Sequence, residues 1–231
     1  MVHNMRGGAK RRTTKGLMVV RRKYIESLIS RVDMMDYGFS LKNALTPEEQ
    51  KMRNKALIAL LYLSARRVSE IVGRVKKLPD GSVDVWEGVT LDDFTFGEVE
   101  KEKIMRMRIR VLKRGRAKKG LKVVMDYVDI RLSDPLSKYI VDWLNYCKKK
   151  GFEKPFNLTR QRVWQILHNL DPNIWVHWFR HQRLTHLSDV MDPFELQDFA
   201  KFARIETALN YVHKSPTKIL LKIKEADKLW A

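Results

Sequence analysis

The spacing of apolar residues changes twice along this chain, and no other feature limits its fold as tightly. Up to Leu78 the apolar residues follow helical spacing. Between Val83 and Ile130 they alternate as in strands, and from Ser133 onward helical spacing returns. Strands enclosed between helical runs predict an α+β chain, mainly α-helical, with a small antiparallel β-sheet or hairpin on one side.

Local signals set the boundaries. Leu17 to Val32 reads as a helix, with Val20, Ile25, Leu28 and Ile29 partly on one face. Thr46-Pro47-Glu48-Glu49 is a helix start: a threonine cap, a proline in the first position and acids in the first turn. That helix runs to about Leu63, Ser64-Ala65 breaks it, and Gly73 stops the next. Pro79 to Ser82 is a turn, and Val83–Trp86 and Asp93–Val99 are short strands. Ile104 to Lys113 alternates apolar and basic residues, predicting a half-buried strand with a positive outer face; Leu121 to Ile130 returns beside it. Helices follow from Ser133-Asp134-Pro135 to about Lys149, from Thr159 to about His168, and around His177. Further helices run from Pro193 to about Lys201, around Thr207 to Lys214, and onward from Ser215-Pro216. Residues 1–16 form a basic arm, 17–45 a short helical segment and 46–231 the main domain.

Charge points to the partner. Lys and Arg total 46 against 27 Asp and Glu, a net +19 spread through the chain, which suits a polyanion such as nucleic acid. The hydrophobic share of 44% permits a sizeable core. One cysteine, Cys147, builds no disulfide framework and no cysteine-based zinc site within one chain. The longest apolar run, Ala56 to Leu63, is too short to span a bilayer, and the N-terminus lacks the apolar stretch of a secretory signal.

The chemistry concentrates between His177 and His213. His177 and Arg180 stand three apart and share a helix face; the planar guanidinium suits a phosphate, and Tyr211 is a potential covalent nucleophile. Arg66, Arg67 and Glu70 fall at a helix start, where backbone amides also favour a phosphate. Gly115 and Gly120 imitate a P-loop, but Leu121-Lys122 replaces the required Lys-Ser/Thr and the site lies in a hairpin, so nucleotide binding is rejected. His177 and His181 have metal-ligand spacing, but Trp178 stands where a catalytic glutamate belongs and Arg180 repels a cation; no metal is expected. His181 and His186 read as supporting or ordinary helix residues. Trp175, Trp178, Phe179, Tyr62 and Tyr127 read as core.

Four features occur in a fixed order: S-A-R-R-V-S-E-I, the basic hairpin, H-W-F-R-H and N-Y-V-H. Together they resemble the catalytic domain of the tyrosine recombinase (integrase) family over roughly residues 46 to 215. The resemblance implies that fold and a metal-independent, cofactor-free reaction. DNA strands are cleaved and rejoined through a 3′-phosphotyrosine. It implies Arg67 and Arg180 as phosphate-binding catalytic residues, His177 as an aid to the loss of the Tyr211 proton, Tyr211 as nucleophile, and Lys113 as the hairpin general acid, with Lys118 and Lys119 as alternatives. Glu70 and His213 take supporting roles. Double-stranded DNA is the implied partner, contacted by Arg66, Arg114, Arg116, Lys118 and Lys119 and by the arm residues Lys10, Arg11 and Arg12. A homo-oligomer on DNA, dimer or tetramer, is expected, with the C-terminal helix docked on a neighbour.

Departures qualify the resemblance. The position nine residues before the tyrosine, usually His or Trp, is Phe202, which packs but cannot donate a hydrogen bond; reduced rate or a substitute donor such as Lys201 follows. A usual glycine is Ala65. About 45 residues precede the main domain, too few for the helical core-binding domain common in the family. The composition suits an archaeal or viral mobile element, and the expected location is the cytoplasm, nucleoid-associated, or a host's cytoplasm. The alternatives are a type IB topoisomerase and a decayed DNA-binding accessory protein.

Overall fold

The computed structural model describes residues 19–37, 45–78, 80–112 and 124–212, with 223–224 and 227–228. Helix α1 (Arg22–Arg31) and a 3-10 turn (Val32–Met34) precede the long helix α2 (Pro47–Ser64) and the short α3 (Val68–Ile71). Strands β1 (Arg74–Lys77) and β2 (Val83–Trp86) form an antiparallel pair. Strands β3 (Phe94–Val99), β4 (Glu102–Arg110) and β5 (Met125–Arg131) form a three-stranded antiparallel sheet in that order. Helices α4 (Ser137–Lys150), α5 (Arg160–Leu170), α6 (Trp178–Leu187), α7 (Pro193–Ala200) and α8 (Ile205–Leu209) complete the chain. The α+β, mainly helical expectation holds.

Helix α2 begins where its capping chemistry demands. Thr46 Oγ1 accepts from the Glu49 amide, and the Glu49 carboxylate accepts from the Thr46 amide, so two otherwise orphaned donors are satisfied reciprocally. Its segment Ala56 to Leu63 is buried on every side. One core joins α1, α2, the three-stranded sheet, α4, α5 and the start of α6. A second, smaller cluster holds Ala65, Leu184, Leu196, Ala200, Phe202, Ala208 and Tyr211. Among the described residues no helix is long and apolar enough to cross a membrane.

Strand β4 alternates as expected, burying Met105, Met107 and Ile109. Its outer face is not a free positive surface, because Arg106 pairs with Asp129 and Arg108 with Asp93. Arg110 departs from the alternation: it is buried and donates to Asp84 and to the Val85 carbonyl, tying the two sheets together. Tyr127, expected in the core, is 56% exposed because it lies on the outer face of β5, where the Arg106 guanidinium covers its ring. Strand β1 was not anticipated from its sequence. Helix α8 is shorter than expected and ends before Tyr211, which occupies the turn that follows.

The end of α3 is fixed by a close backbone crossing. Gly73 (φ +87) and Gly88 (φ +91) face one another's strands; a Cβ would lie 2.4 Å from the Trp86 carbonyl oxygen at Gly73 and 2.6 Å from that of Ile71 at Gly88. Both backbone angle and space require glycine. Replacing Gly73 with alanine is expected to destabilise the fold by at least about 1 kcal/mol, read as a lower urea midpoint; an unchanged midpoint would contradict the crossing.

Candidate active site

Three chain reversals bring the site together. Helix α2 ends as Ala65 turns left-handed (φ 50, ψ 28), which releases Arg67 to cap α3. Helix α6 opens at His177 and carries Arg180 and His181 in its first turn. Helix α7, started by the Asp192–Glu195 capping box with Pro193 in the first position, stops as Lys201 turns left-handed (φ 53, ψ 46). Phe202 and, after α8, Tyr211 then fold back against α6.

Arg180 is 5% exposed. Its guanidinium donates to the Ala65 carbonyl at 2.5 Å and to the Ala200 carbonyl at 2.7 Å, and lies 4.9 Å over the Phe202 ring. Phe202 stacks on Tyr211 with ring centroids 5.8 Å apart. The Tyr211 hydroxyl shares a 2.9 Å hydrogen bond with His181 Nδ1, and the His181 and Tyr211 rings stack with centroids 5.6 Å apart. Arg67 donates to Glu70 from its backbone (2.9 Å) and its guanidinium (2.7 Å), and the same carboxylate accepts from the Leu112 amide at 3.3 Å. Arg67, His177, Arg180, His181, Lys201, Phe202, Ala203, Thr207 and Tyr211 line a cavity of about 380 Å³. From Arg67 and His177 a larger cleft of about 870 Å³ continues past Arg74, Lys76, Lys154 and Arg160.

The electrostatics follow from burial and crowding of cations. Burial, then the charges of Arg67 and Arg66, push Arg180 down to about 9, so it stays cationic at neutral pH. Burial raises Tyr211, against the downward pull of Arg180 and Arg67. Burial, then Arg180, lowers His181, which keeps its imidazole neutral and able to accept a proton. Burial pushes Glu70 upward, but Arg67, its amide, Arg180 and Arg66 outweigh this and hold the carboxyl below the usual range. These features allow proton transfer from a phenol to an imidazole beside two guanidiniums, an arrangement suited to attack on a phosphate.

Of the residues singled out in the sequence, Arg67, His177, Arg180 and Tyr211 share the cavity, with Glu70 behind Arg67. Phe202 and His181 pack on the tyrosine. Lys113, His213, Arg114, Arg116, Lys118, Lys119, Lys10, Arg11 and Arg12 lie outside the described residues. Arg66 needs correction as a DNA contact. It is 1% exposed and donates inward to the carbonyls of Ser64 and Phe199, so its guanidinium is not available to DNA. His181, expected to be a supporting or ordinary helix residue, is the hydrogen-bond partner of the Tyr211 hydroxyl.

The sequence matches no protein-family model and no curated protein. Solved structures do resemble the fold. XerH site-specific recombinase bound to difH substrate in a pre-cleavage complex superposes with a TM-score of 0.54 at 16% identity, over 92% of this chain and 53% of the other. XerA recombinase gives 0.50 at 14% identity, over 91% and 65%. The Tn1549 transposon integrase in complex with circular intermediate DNA gives 0.50 at 13%, over 90% and 67%. The chain thus spans about half the length of the XerH chain it matches.

The lowered His181 predicts an acid-sensitive site. The unfolded chain takes up this proton at about pH 6.5, above the folded value. Stability from this group is therefore complete above that pH and lost as pH falls through the folded value. Urea unfolding at about pH 7 and about pH 5 is expected to show a smaller acid loss in His181→Asn than in the wild type; equal losses would contradict it.

Proposed function

From a chain with the fold of the tyrosine recombinase catalytic domain, we propose a DNA strand-cleaving and rejoining enzyme, a site-specific recombinase or integrase that works through a 3′-phosphotyrosine. The observation that carries this reading is the Tyr211 hydroxyl bonded to His181 in a cavity shared with Arg67 and Arg180. The Tyr211 oxygen attacks the scissile phosphorus as its proton passes to His181 Nδ1. Arg67 and Arg180 hold the non-bridging oxygens and stabilise the charge of the pentacovalent state. The bond to the 5′-oxygen breaks, and that oxygen takes a proton from a general acid; the sequence assigns this to Lys113, outside the described residues. A 5′-hydroxyl attacking the phosphotyrosine reverses each step, so rejoining needs no external energy source.

Double-stranded DNA is the proposed partner. The cleft that shares Arg67 and His177 with the reacting cavity offers Lys76 and Arg160 to neighbouring phosphates, while Arg74 and Lys154 in its wall pair with Asp84 and Glu87. Copies of the chain pair on the DNA to exchange strands.

The test is incubation with a pool of nicked duplexes of random sequence, with a chelator present, followed by denaturing electrophoresis. A denaturation-resistant adduct is expected from the wild type and none from Tyr211→Phe. Arg180→Ala is expected to slow adduct formation by about 100-fold or more. Joining of the trapped strand to a second duplex supports recombination, whereas relaxation of plasmid by monomers supports a topoisomerase. Adduct formation by Tyr211→Phe would refute the assignment.

A further inference from the structure

We propose that Lys201 is a third cation of the reacting cavity and binds the phosphoryl group itself, donating from Nζ to a non-bridging oxygen. The proposal rests on the strand-cleavage reading above.

Its position is the first argument. Lys201 lines the cavity with Arg67, His177, Arg180 and Tyr211, and its side chain is 13% exposed. It reaches that wall because its backbone is left-handed at the end of α7, a conformation glycine adopts with less strain. A helix end that needs only a stop has no use for a lysine there.

The second argument is the demand for donors. Both terminal nitrogens of Arg180 already donate to backbone carbonyls, and one of Arg67 donates to Glu70. Arg66 is turned away. Phe202, against the nucleophile, presents only a carbon face. A pentacovalent phosphate therefore meets guanidiniums already partly committed to holding the fold.

The third argument is that Lys201 is held by exchangeable partners. Its Nζ lies 3.2 Å from Asp126 on β5 and 3.2 Å from Asp198 on α7. The Asp198 side chain is 80% exposed, and such a pair is weak in water. The compact ammonium rotates on a flexible stem, so a phosphate oxygen can replace a carboxylate without moving the helix. In the reaction the Tyr211 oxygen–phosphorus bond forms as the phosphorus–5′-oxygen bond breaks. The phenolic proton goes to His181, and Lys201 keeps all its protons, contributing a charge-assisted hydrogen bond.

Orthovanadate, a phosphoryl mimic that expands to five coordination, tests this on the full chain by vanadium NMR titration. Lys201→Gly suits the left-handed backbone, so it is expected to retain the wild-type melting temperature while binding vanadate about 10- to 100-fold more weakly. Lys201→Arg is expected to restore most of the affinity. Asp126→Asn breaks the same ion pair from the other side but keeps the ammonium, and is expected to bind as tightly as wild type or tighter. Equal affinity in Lys201→Gly, parallel losses in Lys201→Gly and Asp126→Asn, or no vanadate binding by the wild type would each overturn the proposal. Lysine-dependent vanadate binding without a DNA adduct would instead sink the strand-cleavage reading. Adduct formation with vanadate affinity indifferent to Lys201 would sink the lysine's role alone.

Discussion

The buried guanidinium of Arg180 is the interaction on which the site depends. It carries a charge into the protein and compensates it with the Ala65 and Ala200 carbonyls at the ends of α2 and α7. Helix ends bear partial negative charge and unsatisfied acceptors, so the arrangement satisfies both sides. Arg66 repeats the device, donating to the carbonyls of Ser64 and Phe199. The two arginines thereby fasten the end of α2 to the segment that leads to Tyr211. Carbonyl dipoles moderate the Arg180 charge without cancelling it, which leaves positive potential for the cavity.

Glu70 balances this excess from behind. It is 1% exposed and accepts from Arg67 twice and from the Leu112 backbone once. One carboxylate therefore sets the position of a cavity arginine and of the backbone just beyond β4. Its own place is set by the glycine crossing and by the Trp86 indole, which donates to the Glu70 carbonyl at 3.0 Å. Arg74 and Arg110 on Asp84 extend the same frame to both sheets. The positive cavity is built on a scaffold of buried acids.

Much of this was legible in the sequence where the controlling interactions are local. The Thr46 cap, the Pro193 start and the Val83–Trp86 strand carry their signals within a few residues. Strand β1 was missed because Arg74–Lys77 holds one apolar residue, and its pairing is imposed by β2 and the glycine crossing. Neighbouring arginines 66 and 67 look alike in sequence. The Phe199 carbonyl, far along the chain, decides which turns inward. The pairing of His181 with Tyr211 likewise depends on how the turn after α8 folds back, which periodicity does not encode.

On the proposed strand-cleaving function, the location of Tyr211 has a kinetic consequence. It is 6% exposed and belongs to the smaller cluster, whose apolar members come from α6, α7, α8, their connections and Ala65 at the end of α2. Proteins open locally in cooperative units at free energies up to that of global unfolding. Were a DNA phosphate admitted to the phenol only when this unit opens, the cleavage rate would be the intrinsic rate multiplied by the fraction of molecules in the open state. Every increment of about 1.4 kcal/mol in the stability of that small unit then changes the rate tenfold. Packing around Leu196 and Ala208, which do not line the cavity, would then set that rate.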